Sequence, residues 1–69
     1  MLFNEEDLVE MALIAAKRLA AIVGVEFSKP EEESIRKRLK KYLQQDPEAG
    51  GWRLTIVALD ELGRLRDGK

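Results

Sequence analysis

Residues 8–23 hold so few polar positions that they constrain the rest of the chain. In LVEMALIAAKRLAAIV the apolar residues recur at intervals of three and four, the repeat of an α-helix, and only Glu10, Lys17 and Arg18 interrupt them. On a helix stepping about 100° per residue, Leu8, Ala12, Ala15, Leu19, Ile22 and Val23 fall on one stripe, flanked by Met11. Val9, Leu13, Ala16 and Ala20 widen it on the other side. The polar strip is narrow: Glu6, Glu10 and Lys17, with Asp7 and Arg18 at its edge and Ile14 lying within it. A surface helix normally carries an apolar arc little wider than about 100°, and this one is roughly twice that. Such a helix is expected to pack on two neighbours at once, or on one neighbour and a second chain. Ala12, Ala15, Ala16, Ala20 and Ala21 allow a partner helix to approach closely.

The ends of this helix are marked. Asn4 is an N-cap residue, and Glu5, Glu6 and Asp7 place negative charge at the positive end of the helix dipole. Phe3 and Leu8 have the spacing of a hydrophobic staple. Gly24 is suited to the left-handed turn that closes the helix after Val23. The apolar run is too short for the ~20 residues of a membrane span, and Lys17 and Arg18 break it. The charge before it is negative, opposite to that of a signal peptide. The expectation is a buried core helix in a cytoplasmic protein without a membrane partner.

A second helix is expected from Ser28. Ser28 and Glu31 have capping-box spacing, and Pro30 stands in the first turn, where a missing N–H costs little. Ile35, Leu39, Tyr42 and Leu43 make a narrow apolar stripe among Arg36, Lys37, Arg38, Lys40 and Lys41. Glu32 with Arg36, and Glu33 with Lys37, stand at i,i+4. Val25 and Phe27, in the connection, are expected to tuck against the core.

Asp46-Pro47 stops this helix, and Gly50-Gly51 argues for a loop over 46–51 rather than an early start of the third helix. The third helix then offers Leu54, Val57, Ala58, Leu62 and Leu65 inward, with Trp52, Ile56 and Leu59 on another side. The chain is thus expected to be one all-α domain over 1–69, a small antiparallel three-helix bundle with helices at about 4–23, 28–45 and 51–66.

Composition removes several chemistries. The chain has no Cys and no His, which rules out disulfides, thiolate chemistry, the usual zinc sites and the commonest general base. Twelve basic and thirteen acidic residues leave a net charge of −1, which gives no overall attraction for nucleic acid or an anionic membrane. Glu31 to Glu33 and Asp60-Glu61 are adjacent on their helices and point apart, whereas an acid–base pair must face across a cleft. Lys17 among apolar neighbours is better placed to extend its head to water than to act as a nucleophile. No catalytic residue, cofactor or metal ligand is therefore expected.

Residues 19–25, LAAIVGV, resemble the first helix and turn of a helix-turn-helix motif. The resemblance implies DNA contact by the N-terminal end of the next helix, but here that end is Lys29, Pro30, Glu31, Glu32 and Glu33. Nucleic-acid binding, through Arg36, Lys37, Lys40 and Lys41, is the alternative reading. The preferred expectation is a non-catalytic protein-interaction module or small regulator. Its contact surface uses Met11, Ile14, Trp52, Ile56 and Leu59, and its partner is another protein or a second copy of the chain, since a short chain gains core by dimerising. More than half of the residues are Ala, Glu, Lys, Leu or Arg, a bias shared by designed helical proteins without an evolved partner, which is the remaining alternative.

Overall fold

The computed structural model describes residues 4–67. Three helices follow one another: α1 (Glu5–Ile22), α2 (Lys29–Gln45) and α3 (Gly51–Asp67). Each pair is in contact, and among the described residues there is no strand. This is the all-α three-helix bundle expected from the periodicity. Phe3, and with it the staple to Leu8, lies outside the described residues.

The caps are those written in the sequence. Asp7 donates its backbone N–H to Asn4 Oδ1 at 2.8 Å, opening α1. At its other end Gly24 takes φ +80, and the N–H groups of Gly24 and Val25 reach the carbonyls of Ala21 and Ala20. That nested pair of bonds satisfies two of the carbonyls a helix end leaves without partners. In α2, Glu31 N–H donates to Ser28 Oγ and Ser28 N–H donates to Glu31 Oε1, completing the capping box. Asp46 closes α2, residues 46–50 form the connection, and α3 starts at Gly51.

The ion pairs report the direction of each helix. Glu10 pairs with Arg36 and Lys17 with Glu32, so α2 runs back along α1. Arg38 faces Glu61 and Arg66 pairs with Glu31, so α3 runs back along α2 and in the same sense as α1. Arg66 also donates to the Glu26 carbonyl and ties the end of α3 to the α1–α2 connection.

The core is formed by Val9, Ala12, Leu13 and Ala16 of α1, Ile35, Leu39 and Leu43 of α2, and Leu54, Ala58 and Leu62 of α3, closed by Ala49 from the second connection. Val25 and Phe27 pack on it, as expected of the first connection. Two expectations about orientation are corrected. In α1 the inward stripe is Val9, Ala12, Leu13, Ala16 and Ala20, and the stripe expected inward leaves Leu19, Ile22 and Val23 exposed. The apolar arc of α1 is so wide that hydrophobicity alone does not select its centre; close packing does. Ala12, Ala16 and Ala20 recur at intervals of four on the chosen face and let the other helices approach. In α3, Thr55 is buried while Leu65 is exposed. Thr55 donates its hydroxyl to the Gly51 carbonyl at 2.8 Å, so burying it leaves no hydroxyl hydrogen unpaired.

Candidate interaction surface

With its core face settled, α1 still presents large apolar side chains to solvent. Met11 is 50% and Ile14 52% exposed, and on α3 Trp52 is 70% and Ile56 45% exposed. Leu59 differs from these four: it is half-buried and packs on the core, so much of it serves the fold. Single exposed apolar residues are ordinary; what carries meaning is their contiguity. Met11, Ala12 and Ala15 of α1 and Gly51, Trp52 and Thr55 of α3 line one groove between the two helices. The large side chains Met11 and Trp52 line it together with the small residues Ala15 and Gly51. Ile56 follows Trp52 by one turn on α3, and Ile22, 79% exposed, lies near Met11 in angle around α1. The structure thus brings Met11 and Trp52 together across the groove and sets Ile14 beside them on the solvent side of α1. Leu19 and Ile22, both on the central apolar stripe read from the sequence, are exposed as well.

The basic cluster of α2 is divided by its neighbours. Arg36 donates to Glu10 and lies 3.8 Å from Glu32. This guanidinium holds the Glu10 carboxyl below its ordinary range, with Lys40 and Lys17 adding to the effect. Arg38 turns to the α3 side, 3.9 Å from Glu61, which Arg64 approaches at 3.7 Å. Lys37, Lys40 and Lys41 remain exposed, and the outward face they share also carries Glu33. Glu33 and Lys37 make no ion pair among the described residues, although their spacing permits one. The glutamates at the start of α2 are engaged: Glu32 with Lys17 at 2.8 Å, and Glu31 with Arg66 at 2.9 Å. The Arg66 guanidinium, then the Ser28 N–H, draw the Glu31 carboxyl from its ordinary 4.5 down to about 2.

No group of His, Cys, Asp or Glu among the described residues is arranged to hold a metal ion. No helix among them is long and apolar enough to cross a membrane. In comparisons with protein-family models, characterised proteins and solved structures, nothing matches this chain.

Proposed function

We propose that this chain is a non-catalytic protein-interaction module that binds through the α1–α3 surface. The observation that carries the reading is the set of exposed apolar side chains Met11, Ile14, Trp52 and Ile56, with Met11 and Trp52 on one groove, left uncovered by a bundle whose core is already closed. Trp is among the residue types that dominate binding energy at interfaces, and here it stands beside a groove rather than inside the core. The uncovered surface also weighs against a chain made only to fold, for which exposed apolar area is a liability. Nucleic-acid binding by α2 has less support, because Arg36 is held by Glu10 and Glu32. It predicts binding that weakens steeply with salt.

The test is site-specific photo-crosslinking in the host cell. A photoreactive residue at Ile14 or Trp52 is expected to give adducts of discrete mass, and one at Lys41, across the molecule, none. Equal labelling at all three positions, or none at Ile14 and Trp52, would sink the reading.

A further inference from the structure

Around α1, about half a turn from the core stripe, a second stripe faces solvent: Asp7, Met11, Ile14 and Arg18. All four are exposed. Their intervals are four, three and four, the spacing of the contact seam in helices that pair along their length. The core stripe Val9, Leu13, Ala16 and Ala20 has the same intervals. So α1 carries two back-to-back seams, and the bundle uses one of them.

The order of chemistry along the free seam is acid, apolar, apolar, base, and it is self-complementary only on reversal. Place a second α1 antiparallel, with the two-fold axis between residues 12 and 13. Met11 then meets the second copy's Ile14, and Asp7 meets the second copy's Arg18, each contact occurring twice. A parallel arrangement would set Asp7 against Asp7 and Arg18 against Arg18, like charges that oppose it. Neither Asp7 nor Arg18 forms an ion pair among the described residues. The seam from Asp7 to Arg18 spans about 16 Å at the helical rise, and Trp52, over the adjoining groove, widens it with apolar surface.

From this juxtaposition we infer that the occupant of the exposed α1 face is a second copy of the chain, paired as an antiparallel α1–α1 homodimer with Asp7–Arg18 ion pairs at both ends of the seam. The inference rests on the interaction reading above and names its partner. It also assigns the charges their work: they set orientation and register, while Met11 and Ile14 supply the apolar contact.

The experiment is sedimentation equilibrium on the whole chain from about micromolar to about millimolar concentration. It compares the wild type with Asp7→Arg, Arg18→Asp and the double exchange. The wild type is expected to dimerise. Each single reversal places like charges together twice and is expected to weaken the dimer at least about tenfold; the double exchange is expected to restore it. Asp7 lies in the first turn, where Arg opposes the helix dipole. Circular dichroism therefore accompanies each variant, and Arg18→Asp, outside the first and last turns of α1, repeats the test with less of that complication. Orientation is read separately. The chain has no cysteine, so Ile22→Cys provides a single thiol that antiparallel pairing keeps about 28 Å from its mate along the axis. It is expected not to cross-link within the dimer.

A wild type that stays monomeric over the whole range overturns the inference. If photo-adducts of other mass still form at Ile14 and Trp52, the interaction reading stands without it. A dimer indifferent to both charge reversals, or one readily bridged at residue 22, overturns the antiparallel register.

Discussion

Glu31 shows how one side chain links the start of α2 to the end of α3. Its carboxylate accepts from Ser28 N–H and from the Arg66 guanidinium, and these two donors favour the charged form. Its folded pKa of about 2 lies below the ordinary 4.5. The stability it contributes is therefore complete above pH 4.5 and lost as pH falls from there towards 2. Glu31→Gln keeps an oxygen for the capping box and removes the charge. Thermal melts are expected to place this variant below the wild type at pH 7, with the gap closing in acid. A gap unchanged down to pH 2 would show that Glu31 acts as a cap alone. Gly24 is the other residue with a task that depends on identity. Its φ of +80 turns the chain out of α1, and a Cβ there would meet no neighbour within 4 Å, so only the backbone conformation asks for glycine.

At the scale of the element, α1 has two apolar faces with opposite tolerance to change. Ala16 is fully buried where α1 meets the rest of the bundle, and Ile14 is half exposed on the far side. Ala16→Leu adds side-chain volume where close approach leaves no room, and is expected to cost about 1–3 kcal/mol. Ile14→Ser removes apolar surface from a half-exposed side chain outside the core. Below the concentration at which the chain associates, it is expected to change stability by less than about 0.5 kcal/mol. Urea denaturation of dilute protein separates the two. A large loss for Ile14→Ser in the monomer would make Ile14 a core residue and remove the central contact of the proposed seam. The wide face of α1 and the narrow face of α2 follow the same logic. Ile35, Leu39 and Leu43 form the buried face of α2, while its flanks reach neighbouring carboxylates through Arg36 and Arg38. The lysines left over point outward.

At the scale of the whole molecule, a core drawn from three short helices is small, and chains near this size often add stability by association. If the second copy covers the α1 face, folding and dimerisation are linked, because a partner that binds only the folded state raises its stability by mass action. The melting temperature of the wild type is expected to rise with protein concentration, and that of Arg18→Asp to rise less over the same range. Scanning calorimetry over a hundredfold concentration range checks this. A wild-type Tm independent of concentration across the range in which sedimentation detects dimer would contradict the linkage.

How much of this was legible beforehand differs by feature. Periodicity and caps are local, set by residues within a turn or two of one another. Asn4, Ser28 with Glu31, Pro30 and Gly24 therefore mark helix ends that the structure reproduces within a residue. The exposure of Ile14 was also readable, since it interrupts a polar strip. The rotation of α1 was not. Leu19 and Ile22 are as apolar as Val9 and Leu13, and on a helix with so wide an apolar arc both sets satisfy the same pattern. Only the fit of three helices, with Ala12, Ala16 and Ala20 at the contact, chose which set to bury. The partners of the charges were equally out of reach, because Arg36 meets Glu10 and Arg66 meets Glu31 across long stretches of chain. Local chemistry thus specifies which helices form and where they end. Which face each helix turns inward, and hence which apolar surface remains for a partner, is a property of shape, and shape exists only once the helices meet.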